Sequence, residues 1–221
     1  MKSSCKYIIV ADFETGGLPS KEKKAFYNIP MVEWAMSCVD MEKLEIIDRQ
    51  DIIFPYDYKE DLEYSIQATE VHGITKTIQD ANGIPLKEAF KIMKTWFSKY
   101  KNPRQQCTLA GHNFVAFDQP FLANFFEFMG DNIENYVRFY LDTMHLAHIS
   151  ALEQTDYKLG TCCQLADIDL VDAHRAQNDV DANAALLISY IKKLRGENQN
   201  ATTSVSTEKK IRYRETFQLL R

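Results

Sequence analysis

The apolar run Tyr7-Ile8-Ile9-Val10-Ala11 leads into Asp12-Phe13-Glu14 and is stopped by Gly16-Gly17, the pattern of a buried strand that ends at a turn. This first strand is expected over 6–12. Further strand-like runs lie at 31–39, 46–54, 108–111 and 138–141, and the first three of the five suit an antiparallel meander joined by short turns. Apolar residues at helical spacing predict helices near 61–71, 85–100, 117–129, 143–152, 159–166 and 179–195. In the third of these, Phe117, Phe121, Leu122, Phe125 and Phe126 form the stripe expected to be buried. Strands first, then strands alternating with helices, predict a mixed α/β sheet.

Three acidic segments interrupt this pattern. Side chains two apart on a strand share a face, so Asp12 and Glu14 project together from an otherwise apolar strand. Two like charges there need a counter-charge, and a divalent cation is a natural one. Two solvated acids at an ordinary strand end would read the same way. Asp118 falls near the start of the helix that follows Gly111-His112-Asn113, a place that equally suits a capping carboxylate. His174 precedes Asp179 by five residues, so a loop histidine and a carboxylate in the first turn of the last helix can face one pocket. A lone histidine there would fit a surface or capping role as well.

Taken together and in order, these segments resemble the DEDDh branch of the DnaQ-like 3′-to-5′ exonuclease superfamily. DFETGG resembles its first motif, GHNFVAFDQPFL its second and HRAQNDVDA its third, while ATEVHGIT resembles a further family element between them. The resemblance spans about residues 6–192. A histidine five residues before the last aspartate marks the histidine branch, since the sister branch carries tyrosine where this chain has Arg175. The fold implied is α/β and ribonuclease-H-like, with a mixed five-stranded central sheet, its first three strands antiparallel, flanked by helices.

The resemblance also implies a chemistry. A phosphodiester repels hydroxide, so hydrolysis needs a deprotonated water, charge neutralisation at phosphorus and a stabilised 3′-oxyanion, which two Mg²⁺ or Mn²⁺ ions about 4 Å apart help to supply. Hard cations prefer oxygen ligands, and four carboxylates balance the charge of two divalent ions. By family analogy Asp12 bridges the ions, Glu14 and Asp179 hold the one nearer the nucleophile, and Asp118 assists the other through water. His174 is then the general base. Phe13, Thr15, Gly16 and Leu18 fall where the family holds the 3′-terminal nucleoside, with His72 and Ile74 completing the wall and Asn113 near the second nucleotide. His72-Gly73 also reads as a helix stop. The expected activity is removal of nucleoside 5′-monophosphates from the 3′ end of single-stranded DNA. Trimming of RNA and a catalytically silent nucleic-acid-binding module are the alternatives.

Composition bounds this reading. At 221 residues and 45% hydrophobic content, the chain can build one sizeable core. The net charge of −5 gives no global basic field, which argues for end-directed contacts rather than tight duplex binding. Five scattered cysteines, Cys5, Cys38, Cys107, Cys162 and Cys163, fit reduced core thiols, and none has the spacing of a zinc site. No apolar run reaches membrane-spanning length, so an intracellular, cytoplasmic protein without a membrane partner is expected. The nuclease domain is expected to cover 1–195. Residues 196–221 then form a polar linker and a basic tail whose 209–221 segment offers a dock for a polymerase or other protein. Because some stand-alone relatives pair, a homodimer stays open.

Overall fold

The computed structural model describes residues 5–102, 106–151, 153–170 and 174–196. Five strands, β1 (Tyr7–Thr15), β2 (Met31–Asp40), β3 (Glu45–Ile53), β4 (Cys107–Gly111) and β5 (Val137–Asp142), form one sheet in the order β3-β2-β1-β4-β5. β1 pairs antiparallel with β2, and β2 with β3, whereas β4 runs parallel to β1, and β5 to β4. The expected mixed α/β sheet is therefore present. The connection from β1 to β2 is not a short turn, however. It runs through residues 16–30, where Gly16 N–H donates to the Pro30 carbonyl at 2.9 Å and Ala25 bridges to Ile29.

The helices are α1 (Ile66–His72), α2 (Lys76–Asn82), α3 (Leu86–Lys99), α4 (Asp118–Phe128), α5 (Thr143–Ser150), α6 (Leu159–Leu165) and α7 (Ala176–Arg195), with a single 3₁₀ turn at Ile133–Asn135. α1 begins five residues later than 61. Ser65 caps it, its Oγ accepting from Ala68 N–H, and Asp61 adopts a positive φ that no helix continues through. α2 escapes the periodicity because its only buried residue is Gln79. α7 starts at Ala176 rather than 179. Leu152, the end of the fourth expected helix, lies outside the described residues, as does the 197–221 tail.

Strand alternation sorts the core into two layers. Ile9, Ala11 and Phe13 point toward α3 and α4, where Trp34, Met93, Phe97, Phe121, Phe125 and Phe126 pack. Ile8 and Val10 point the other way, with Ala35, Val39 and Ala110, onto the stripe Ala176, Val180, Ala184 and Leu187 of α7. The stripe's spacing of three and four residues is that of one helix face. α5 and α6 pack against α7 through Ala147, Cys162, Leu186 and Tyr190. Cys38, Cys107, Cys162 and Cys163 are buried thiols. Asp12 and Glu14 continue the row of Ile8 and Val10, so the register that buries β1 also aims both acids at the start of α7.

Candidate active site

β1 outruns its parallel neighbour. β4 pairs with it only at Ile9 and Val10 and ends at Gly111, so the last third of β1 has no strand on that side. The chain turns away there through Asn113, whose φ is +60°, and Asp142 holds the turn by accepting from Asn113 N–H at 2.9 Å. A carboxylate takes the place of the missing strand. Asp118 Oδ1, at the first residue of α4, accepts the Phe13 N–H at 3.0 Å. Asp118 is only 1% exposed, and burial pushes its carboxyl well above the ordinary range despite that hydrogen bond.

Asp12, Glu14 and Asp179 each offer an oxygen, and these atoms lie within 4.8 Å of one another. Asp118 is not part of that group. Burial raises Asp12 strongly, and Asp118, Glu14 and Asp179 add to the rise. Burial, then Asp179 and Glu33, push Glu14 up to about 8. Asp179 is raised by burial as well, though His174 N–H donates to its Oδ2 at 3.0 Å. Crowded hard oxygens that resist ionisation without a counter-charge are a donor set suited to a divalent cation of the Mg²⁺ or Mn²⁺ type. His174 has a φ of +71°, is exposed, and lines the same cleft as the three carboxylates.

One residue that shapes this group was not singled out from the sequence. Glu33 stands opposite Glu14 in the β1–β2 register and is 1% exposed, which would add a fourth charge to the cluster. That charge is paired rather than left bare. Arg175 Nη2 lies 2.9 Å from Glu33 Oε1, and Ala176 N–H, an unpaired donor of the first turn of α7, donates to Oε2 at 2.9 Å. The pair fixes where α7 begins, and with it His174 and Asp179. An acid inside a strand of which every residue is buried was the signal available.

Two cavities meet at the end of β1, and Phe13 and Glu14 line both. The larger, about 750 Å³, also holds Asp12, Asp179, His174 and Asn113. The smaller, about 360 Å³, is mostly apolar and is walled by Thr15, Gly17, Leu18, Ala68, Val71, His72 and Phe117. Leu18 stands at its rim, 77% exposed. Phe117, read from sequence as part of the core stripe, is one of its walls. Gly16 and Ile74 sit behind it. A Cβ on Gly16 would collide with the Pro30 ring, so glycine there serves packing of the loop. Ile74 N–H donates to His72 Nδ1 at 2.9 Å, which leaves the proton of the neutral ring on Nε2. That buried Nε2 has no partner among the described residues, and burial lowers the ring's pKa. His72 thus places an unpartnered but solvent-shielded donor beside an apolar pocket.

Comparison with known proteins agrees with this geometry. The RNase_T family model, described as exonuclease, matches residues 9–187. A DNA polymerase III PolC-type protein of Bacillus cereus is 30% identical over 187 residues, which cover 83% of this chain and 11% of that protein. The chain thus spans about a tenth of the length of that curated relative. The zinc-bound complex of E. coli exonuclease I with single-stranded DNA is similar with a TM-score of 0.69 at 17% identity, covering 87% of this chain and 42% of that one. The nuclease domain of 3′hExo, a DEDDh family member bound to rAMP, gives 0.69 at 14% identity, covering 87% of this chain and 95% of that one. Among the described residues, no helix is long and apolar enough to cross a membrane. With a family model spanning most of the folded part and the ribonuclease-H-like sheet in place, the chain belongs to the RNase_T exonuclease family, in the DnaQ-like 3′-to-5′ exonuclease superfamily.

Proposed function

We propose that this chain removes nucleotides one at a time from the 3′ end of single-stranded DNA and releases nucleoside 5′-monophosphates. The observation that carries the reading is the juxtaposition at the end of β1: three convergent carboxylates on one side, and an apolar pocket with an unpaired imidazole donor on the other. The terminal base fits the smaller cavity between Leu18, Val71 and Phe117, with His72 Nε2–H donating to the nucleoside. The scissile phosphate then falls beside Asp12, Glu14 and Asp179.

Asp12, Glu14 and Asp179 would hold a divalent cation, and Asp118 would assist a second. When bound, such ions neutralise the phosphate and make a water easier to deprotonate. His174 takes the proton of that water. It sits in an exposed loop tied to Asp179 through its backbone N–H, and among the described residues its ring makes no hydrogen bond, which suits a group that takes a proton from the nucleophile and passes it to solvent. The PolC-type relatives and the DNA-bound exonuclease I neighbour support DNA as the substrate, while the rAMP-bound neighbour supports RNA as the alternative.

Matched DNA and RNA oligomers labelled at the 5′ end test this. The expected result is stepwise shortening of single-stranded DNA that a chelator stops and Mg²⁺ or Mn²⁺ restores. Strong preference for RNA would overturn the substrate assignment, and activity in chelator would overturn the metal requirement. His174→Ala should lower turnover by roughly 10²–10⁴-fold while metal binding persists.

A further inference from the structure

The larger cavity does not stop at the acids. It runs past Asn113 and Met144 to a wall made by α5 and the segment that enters α6. There His148 and Tyr157 stack face to face, with ring centroids 3.6 Å apart and planes 29° from parallel, and Lys158 follows directly. The hydrolysis described above uses none of the three. His148 is exposed, so its ring covers Tyr157 without belonging to the core. Lys158 is the only lysine or arginine among the described residues that line the cleft, in a chain whose net charge is −5.

This wall is held in register with the catalytic end of the sheet. His112, next to Asn113 at the end of β4, donates from Nε2 to the Tyr157 carbonyl at 2.7 Å, and its Nδ1 lies 2.9 Å from Thr143 Oγ1 at the start of α5. The Tyr157 hydroxyl donates to the Ala151 carbonyl at 2.7 Å, and Lys158 N–H donates to Asp156 Oδ1 at 3.1 Å. The Tyr157 ring is thus pre-placed, which lowers the ordering cost of binding.

We propose that His148, Tyr157 and Lys158 form an upstream nucleotide station, which holds the strand beyond the first nucleotide on the 5′ side of the scissile phosphate. A base stacks on the exposed face of the His148–Tyr157 pair, and Lys158 meets a backbone phosphate. The proposal rests on the exonuclease reading of the site. Three features commit the occupant to single-stranded nucleic acid: the station continues the cleft that holds the acids, its cation complements a phosphate, and stacking needs a base face that a paired strand does not present. Aromatic stacking contributes roughly 1–3 kcal/mol per base and tolerates any sequence, as an enzyme that steps along a strand requires.

Kinetics on substrates of two lengths provide the test, with a thymidine octamer that reaches the station and a thymidine dinucleotide that is too short to lie across it. His148→Ala should raise KM for the octamer about tenfold, the change expected for losing ~1.4 kcal/mol of stacking, and should raise it less than threefold for the dinucleotide. Tyr157→Phe keeps the ring and should stay close to the parent on the octamer. Lys158→Gln should reduce the dependence of log affinity on log salt by about 0.7, one phosphate's worth on a single strand. If the parent is active on both lengths and His148→Ala weakens both alike or neither, the station is overturned and the exonuclease reading stands. A parent that shortens neither substrate overturns both. A duplex end bound more tightly than the single strand, with the loss at His148 unchanged, overturns the stated occupant.

Discussion

Helices α4 and α7 both start beside the end of β1, and each brings an aspartate in its first turn, yet they are fastened to the sheet in opposite ways. At α4 the aspartate is itself the fastener, because Asp118 Oδ1 is committed to the Phe13 N–H. At α7 the fastener comes from the sheet. Glu33 grips Arg175 and Ala176 N–H, and Asp179, one turn further on, is left to face Asp12 and Glu14. A carboxylate that closes a backbone valence has one oxygen left for anything else. Asp179 accepts a backbone N–H as well, that of His174, but this bond stays within the start of its own helix, whereas Asp118 reaches across to β1 and stands outside the close oxygen group.

Replacing the two aspartates should separate the roles, and this gives the largest expected effect. Asp179→Asn should lower exonuclease activity to below a hundredth of the parent and leave the metal-free protein no less stable, since a like charge is removed from a crowded cluster. Asp118→Ala should reduce activity and also destabilise the fold by about 1–3 kcal/mol, the cost of an orphaned buried N–H, whereas Asp118→Asn, which keeps an acceptor for Phe13, should recover most of that stability. Thermal melting in chelator beside oligomer digestion reads both quantities. Equal destabilisation by Asp118→Ala and Asp179→Ala would erase the distinction between fastener and ligand.

A smaller effect probes the α7 fastener from its two ends. Removing Arg175 leaves the Glu33 carboxylate, 1% exposed, among three other acids with only the Ala176 N–H, which, discounted for the half-exposed guanidinium, costs about 1–2 kcal/mol. Removing the charge of Glu33 strands nothing, because the Arg175 side chain is half exposed and can turn to water. Arg175→Ala should therefore destabilise more than Glu33→Gln, and the double variant should recover part of the loss. Urea unfolding of the three variants measures it, and equal losses for the two single variants would break the argument. Both single variants should lower turnover about tenfold by loosening the start of α7.

The sequence carried much of this and withheld a definite remainder. The five strands and six of the seven helices were legible because burial leaves a period of two or of 3.6 in most of them, while β2 and β4, buried on both faces, stand out as short apolar runs. α2 was not legible, since Lys76–Asn82 buries only Gln79 and its signals are the Thr75 cap and the Gly83 stop. Asp12, Glu14, His174 and Asp179 could be placed near one another because strand alternation and motif order act over short stretches. Which partner each carboxylate takes could not be read. The Asp118–Phe13 bond spans 105 positions and the Arg175–Glu33 pair 142, and contacts of that range leave no local trace. Phe117 shows the limit most plainly, because the same residue that continues a buried stripe also walls the small cavity.

The smallest effect concerns what the cluster does to the metal-free fold, and it sets the two helix starts against the rest of the molecule. Glu14 has an ordinary carboxyl pKa when unfolded and one of about 8 when folded, so between those values the folded state keeps a proton that the unfolded state has lost. Asp12 and Asp118 are displaced in the same direction. Stability from these groups is complete below the unfolded value and drains away as pH rises toward 8. The buried imidazoles His72 and His112, with lowered pKa values, work the other way, but only below about 6.5, the ordinary histidine value. Asp40, Asp48 and Asp131, held low by hydrogen bonds to Lys43, Lys99 and Lys94, lose their contributions only in stronger acid. Raised thiols such as Cys107 enter only above about 8.5. Between pH 6.5 and 8 the carboxylate cluster is thus left to govern the slope. In chelator the melting temperature should fall across that window by on the order of 5 °C, and a divalent cation should abolish the fall by taking the proton's place. Asp179→Asn should flatten the slope more than Asp118→Asn, because Asp179 stands ahead of every other charge in raising Glu14. A melting temperature that stays level or rises in chelator would show that the acids do not crowd one another as the fold places them.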